Sequence, residues 1–249
     1  MLTIEYEGTR YHGFQIQPNA PTIQGAIEYA LMQVTGERIR ISYASRTDQG
    51  VHAKGQVVAF GTASSLSPET FIRALNYYLP EDIAVRDASW VRDDFDARRD
   101  AISREYCYRL WNSATPSPLL RRCTYFMPRP LDIEAMNDAC QALLGTHDFA
   151  PFASSLNGRR NTVRTVYRAE VRREGDLVTL YMVANSFLPH QVRNTMGQLV
   201  KVGLGKSDVA AFHQILQSKR PSIAGPALPP HGLCLLKVNY PEGVLNENL

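Results

Sequence analysis

The sequence predicts an α+β fold of two related halves, on three observations. Strand-period and helix-period segments alternate along the 249 residues, and the same ingredients recur in the second half. Between them lies Ser113 to Pro130, with four prolines and neither period. The expected division is a first half over 1–112, a connecting segment over 113–130 and a second half over 131–249.

In chain order, Leu2 to Tyr6 alternates as a strand and leads into a loop carrying Gly8 and Gly13. Thr22 then caps a helix whose apolar set is Ile23, Ala26, Ile27, Ala30, Leu31 and Val34. Arg38 to Ala44 reads as a strand. After a loop over Ser45 to Gly55, the apolar run Gln56 to Phe60 suits a fully buried strand. Ser67-Pro68 opens a second helix through its N-cap and N1 preferences, and strands follow at Asp82 to Val91 and Ile102 to Trp111. The second half begins with a helix from Asp132 to Leu144, closed by Gly145. Strands at Val163 to Arg173 and Leu177 to Ala184 are joined through Gly175-Asp176 as a hairpin. Helices follow Pro189 and Ser207, and a last strand spans Gly232 to Val238.

Composition excludes several classes. With 44% hydrophobic and 20% charged residues the chain is globular, with ample core and no need of a metal or disulfide staple. No apolar run approaches the roughly 18 residues of a spanning helix, and the N-terminus lacks the pattern of a secretory signal. Cys107, Cys123, Cys140 and Cys234 are scattered singly, as in a reducing compartment, so the protein reads as cytoplasmic. The six histidines show no metal-ligand spacing, and no metal site is expected. Net charge is only +3, but of 27 basic residues five are lysine, so positive charge is carried by the planar, phosphate-matching guanidinium. Arg159, Arg160, Arg164, Arg168, Arg172 and Arg173 crowd one segment. Arg98, Arg99, Arg104, Arg109, Arg121, Arg122 and Arg129 form a looser second group. A phosphate-binding surface and a merely solvated face both fit this pattern.

Three segments concentrate chemistry. The loop Ser45-Arg46-Thr47-Asp48-Gln49-Gly50-Val51-His52 places a cation, a hydroxyl, a carboxylate and an imidazole between two apolar strands. Taken alone, it also fits a solvated Asp-x-Gly turn. The strand from Ile102 sets Arg104, Tyr106, Tyr108 and Leu110 on one face by its period of two, and a tyrosine there is either core or a stacking plane for a base. In the helix after Pro189, Val192, Met196, Leu199 and Val200 form the apolar face with Arg193 at its margin. A partly desolvated guanidinium there needs an anionic partner, unless it snorkels to solvent.

Together these segments resemble the TruA family of tRNA pseudouridine synthases. Tyr6-Glu7-Gly8-Thr9-Arg10-Tyr11-His12-Gly13-Phe14-Gln15-Ile16-Gln17 follows the family's opening pattern Y-[DE]-G-x-x-[FY]-x-G-[FW]-Q-x-Q. Its signature G-R-T-D-x-G-V-H-A-x-G-Q-V reappears from Ser45 to Val57 with one change, serine for the first glycine. Further matches are Asn76 to Val85, Phe95 to Arg98, Tyr106 to Tyr108 and Val192 to Asn194. A second departure is Leu188-Pro189-His190-Gln191, where the family more often has an aromatic and H-M.

The resemblance implies a pseudouridine synthase fold, with a joined, mainly antiparallel sheet and a central active-site cleft. It also implies isomerisation of uridine to pseudouridine at positions 38–40 of the tRNA anticodon arm, no cofactor, and a homodimer. Asp48 is then the catalytic aspartate, acting as nucleophile or as base. Tyr106 matches the tyrosine that stacks on the target base. Arg193 is the expected cation that keeps Asp48 ionised, and Arg46 is placed to brace the gap left by an extruded uridine. Three rivals stand beside this reading. They are a paralogous synthase with another target uridine, a non-catalytic tRNA-binding or chaperone protein, and a glycosidase pairing Asp48 with Asp93 or Asp94.

Overall fold

The structure, a computed structural model, describes residues 1–154, 156 and 161–244. In chain order its elements are β1 (Leu2–Tyr6), α1 (Ile23–Thr35), β2 (Ser42–Tyr43), β3 (His52–Ala59), α2 (Pro68–Tyr78), β4 (Ile83–Ala88) and β5 (Ser103–Trp111). There follow β6 (Tyr125–Phe126), α3 (Ile133–Gln141), β7 (Gly145–Asp148), β8 (Val163–Glu174), β9 (Leu177–Ala184), α4 (Gln191–Gly203), α5 (Val209–Gln217) and β10 (Leu233–Asn239). The class is α+β, as expected, and strand pairing is mainly antiparallel.

The chain forms two compact units, Met1–Ile102 together with the chain from Cys234 onward, and Ser103–Leu233. The division therefore falls at Ile102/Ser103 and not in the proline-rich stretch from Ser113. Its physical reason is long-range pairing. β5 lies along β9 over its whole length, Arg104 opposite Ala184 through Trp111 opposite Leu177, whereas β10 returns to pair with β3 at His52 and Ala53.

In the first unit β3 is flanked by β1 on one side and by β2 and β10 on the other, and β4 pairs with β1. The helices begin as their caps dictate. Thr22 accepts the Gly25 amide and Ser67 accepts the Thr70 amide, each satisfying an orphan donor of the first turn. Ile23, Ile27 and Leu31 of α1 and Phe71 and Leu75 of α2 are buried, in a core that also holds Ile4, Phe14 and Val58.

Two expected strands differ most in extent, and the one expected at Asp82 to Val91 is confined to Ile83–Ala88. Arg38 to Ile41 is not strand, because Glu28 of α1 takes the Ile41 amide and the Arg40 guanidinium, drawing that segment to the helix. β3 begins four residues before Gln56, since pairing with β1 and β10 buries His52 and Ala53 and hides the alternation that marks a half-exposed strand.

The loop after β1 is tied to the start of β4. Asp82 accepts from Arg10 Nε at 2.6 Å and from the Tyr11 hydroxyl at 2.6 Å, and its carbonyl takes the Glu7 amide. Burial alone would raise the Asp82 pKa, but these bonds outweigh it and hold the carboxyl below its ordinary value. The unfolded chain therefore binds this proton more readily than the folded one. Stability from Asp82 is present above its unfolded pKa, about 3.9, and is lost as pH falls through the lowered folded value. Denaturant titrations between pH 7 and pH 3 are expected to give a shallower acid decline for Asp82→Asn than for wild type.

In the second unit the sheet order is β5, β9, β8, β7, with β6 along β5. The β8–β9 hairpin turns at Gly175, whose φ of +58° suits the glycine there. α3 packs on β8 and α4, and the core is built from Tyr108, Leu110, Leu180, Met136, Phe149, Phe152, Leu199 and Phe212. α3 ends at Gln141 and Gly145, expected as its stop, opens β7 instead. No helix among the described residues is long and apolar enough to cross a membrane.

Candidate active site

Asp48 lies in a tight turn at the end of the segment joining β2 to β3. The Val51 amide donates to the Asp48 carbonyl, and Gly50 takes a left-handed φ of +75° that a side chain would strain. Asp48 is half-buried, Thr47 and Val51 are buried, and Arg46 is exposed with Nε donating to the Tyr43 hydroxyl at 3.2 Å. The Tyr43 ring packs tilted against Phe14, the core residue at the end of the opening loop, with centroids 4.7 Å apart.

That opening loop clamps the turn, which sequence reasoning missed. The Phe14 amide donates to the Thr47 carbonyl, and the Tyr6 hydroxyl lies 2.6 Å from Thr47 Oγ1. The two glycines of the first motif stand where backbone meets backbone. A Cβ on Gly8 would sit 2.0 Å from the Val51 carbonyl oxygen, and one on Gly13, whose φ is +87°, would sit 2.9 Å from the Thr47 carbonyl oxygen. The Gly8 amide also donates to His52 Nδ1 at 3.0 Å. The same Nδ1 lies 3.6 Å from Glu7 Oε1. The available signal was glycine spacing in Tyr6 to Phe14, but its partner segment lies some forty residues away.

The two departures from the family pattern are accommodated. Among the described residues, positive φ outside glycine occurs at His190, Lys219 and Ser222, so Ser45 needs no glycine. In the second, His190 precedes α4 at φ +60°, and Gln191 reaches back to accept the Leu188 amide, fixing the helix start.

Tyr106 and Tyr108 share a face of β5, as expected, but differ in kind. Tyr108 is fully buried, its hydroxyl donates to the Pro229 carbonyl at 2.7 Å, and burial drives its pKa far up although Arg193 opposes this. It is a core residue. Tyr106 is also buried, with the Phe187 ring edge-on to it at 5.2 Å. Arg104, on the same face, is 7% exposed and donates to the Asn185 carbonyl, a buried guanidinium that periodicity alone did not single out. Arg193 is half-buried at the margin of α4, as its position predicts, and its Nε donates to the Leu228 carbonyl at 2.7 Å. Asp48 and Arg46 thus belong to the first unit, Tyr106 and Arg193 to the second.

The arginine-rich segment divides by role. Arg173 bonds Asn112 and is structural. Arg168 and Arg172 remain partly exposed, share Glu170 and sit over the Tyr181 ring at 5.5 and 5.8 Å. Arg159 and Arg160 lie outside the described residues. Among the described residues no group of three or more His, Cys, Asp or Glu is arranged to hold a metal ion. A pocket of about 360 Å³ in the first unit, lined by Arg40, Phe60, Trp90 and Arg92 among others, contains none of the four expected site residues.

Comparison with known proteins identifies the family. The family model for tRNA pseudouridine synthase matches residues 2–100 and 139–241, which include Arg46, Asp48 and Arg193 and leave Tyr106 between the matched segments. Curated relatives named tRNA pseudouridine synthase A extend across nearly the whole chain. The protein from Myxococcus xanthus is 42% identical over 97% of this chain and 92% of its own length. That from Roseiflexus castenholzii is 46% identical over 97% and 90%, and that from Acetivibrio thermocellus 43% over 96% and 98%. A chain from the crystal structure of a Cbf5-Nop10-Gar1 complex aligns at 12% identity with a TM-score of 0.36, over 96% of this chain and 58% of that one, too distant to add to the assignment. On the family match and on relatives this similar end to end, the chain belongs to the tRNA pseudouridine synthase family.

Proposed function

We propose that this protein isomerises uridine to pseudouridine in tRNA, at positions 38–40 of the anticodon stem-loop, as a cytoplasmic homodimer without a cofactor. The observation that carries the reading is the Asp48 turn, a carboxylate on a loop clamped by two glycine contacts, inside a chain whose family carries out this chemistry. The reaction breaks the bond from uracil N1 to the ribose, turns the base and rejoins it through C5, which gives up its proton to solvent while N1 takes one up. Asp48 supplies the negative group, either bonding to the anomeric carbon or removing the ribose 2′ proton. Arg193 supplies the cation that keeps this carboxylate ionised. Tyr106 stacks on the base, and Arg46, exposed beside the turn, braces the stem after the uridine has left it.

Exchange of the C5 hydrogen gives the direct test. Transcripts labelled with tritium at uracil C5 are expected to release tritium to water when incubated with the protein alone, and retention of the label would refute isomerisation. The Tyr106 role gives a second result. Stacking on one base is worth about 1–3 kcal/mol, so Tyr106→Leu is expected to slow single-turnover tritium release about ten- to a hundredfold. Tyr106→Phe keeps the ring, and any further difference from wild type measures what the hydroxyl contributes.

A further inference from the structure

Gln56 of β3 is fully buried, and its amide does the work of a missing stretch of backbone. β2 pairs with β3 through Ser42 opposite Ala59 and Tyr43 opposite Val58, and the Ala44 amide still donates to the Val57 carbonyl. There the chain leaves the sheet to make the Asp48 turn. Opposite Ser45, where the next strand pair would stand, the Gln56 side chain takes over. Its Oε1 accepts the Ser45 amide at 3.2 Å and its Nε2 donates to the Ser45 carbonyl at 2.7 Å. A side-chain amide has one acceptor and one donor group in peptide geometry, so it closes this pair as a backbone would. The fold uses the device elsewhere, Asn76 on the Val85 backbone and Asn137 on that of Val171.

At Gln56 the clamp has a second arm. Nε2 approaches the Tyr6 hydroxyl at 3.5 Å, and that hydroxyl lies 2.6 Å from Thr47 Oγ1. Ser45 and Thr47 are thus both fixed from the same buried amide, directly and through Tyr6, and Asp48 is the next residue. Buried polar groups of this kind hold one geometry because each alternative leaves a donor or acceptor unpaired.

We propose that Gln56, acting with the Tyr6 hydroxyl, is a positioning residue that sets where the Asp48 carboxylate stands. The proposal rests on Asp48 being the catalytic carboxylate. Its signature is a loss of rate without a loss of binding, because a displacement of about 1 Å at a reacting group costs about a hundredfold while distant phosphate contacts are untouched.

The test measures single-turnover pseudouridine formation at saturating enzyme, and tRNA affinity by filter binding, for wild type, Gln56→Met and Tyr6→Phe. Gln56→Met is expected to be about ten- to a hundredfold slower and Tyr6→Phe about two- to tenfold slower, both with a Kd within about twofold of wild type. A wild-type rate in Gln56→Met, or a tRNA affinity weakened as much as the rate, overturns the proposal. Should Gln56→Met fail to fold by circular dichroism, Tyr6→Phe decides on the same criteria, since removing one hydroxyl keeps the ring in place. Wild type in the same reaction separates the two readings. No product from it overturns the proposed activity, whereas product from it together with an unimpaired Gln56→Met overturns positioning alone.

Discussion

Asp48→Asn is expected to lower single-turnover pseudouridine formation by at least about a thousandfold while tRNA binds as it does to wild type. The substitution keeps the shape of the side chain and removes its charge. Two contacts at the turn use only its backbone: the Asp48 carbonyl takes the Val51 amide, and the neighbouring Thr47 carbonyl takes the Phe14 amide. Both survive the change, and asparagine is at home in a turn of this kind. What is lost is the ability to bond covalently to the ribose or to accept its proton. Matched circular dichroism and filter-binding curves, with the rate gone, would place the effect in chemistry. A variant that still turns over within tenfold of wild type would remove Asp48 from the mechanism.

A second large effect comes from a residue that touches no substrate in this account. Gly8→Ala places a methyl 2.0 Å from the Val51 carbonyl oxygen and 2.8 Å from its carbon. Both are backbone atoms, so no rotamer change relieves the clash. Either the opening loop retreats, breaking the bond from the Gly8 amide to His52, or the start of β3 moves and takes the Asp48 turn with it. Overpacking of this kind costs about 1–3 kcal/mol, and a turn displaced by about 1 Å costs about a hundredfold in rate. Gly36→Ala is the matched control. Gly36 ends α1 at φ +75° with open space around a Cβ, so the substitution strains the backbone without pressing on the turn. It is expected to lower stability by about 1 kcal/mol and to leave the rate unchanged. Equal rates for Gly8→Ala and Gly36→Ala would show that the glycine contact does not position Asp48.

The two predictions mark what local sequence reveals. α1 and α2 were legible because a capping hydroxyl and an apolar stripe are properties of neighbouring residues, as with Thr22 ahead of Ile23, Ile27 and Leu31. The Gly175 hairpin was legible for the same reason. The upstream half of β3 was not, because His52 to Gly55 reads as polar loop until β1 and β10 bury it. Nor was the division of the chain, which depends on β5 pairing with β9 across some seventy residues and on β10 returning to β3.

The candidate site divides along the same line. The Asp48 loop declared itself by breaking both periods and gathering charged and polar groups, and the α4 pattern placed Arg193 correctly at the helix margin. Gly8, Gly13 and Gln56 were visible as letters of a pattern, but their purpose is a backbone approach between distant segments. Tyr106 and Tyr108 are equivalent by periodicity, and the bond from the Tyr108 hydroxyl to the Pro229 carbonyl, a contact between distant segments, marks Tyr108 as core.

The most direct test of the central claim is pseudouridine mapping at nucleotide resolution on unmodified tRNA transcripts incubated with the purified protein and nothing else. The account predicts new pseudouridine at positions 38–40 and none in the same reaction with Asp48→Asn. Bound tRNA that carries no pseudouridine after prolonged incubation with wild type would contradict it.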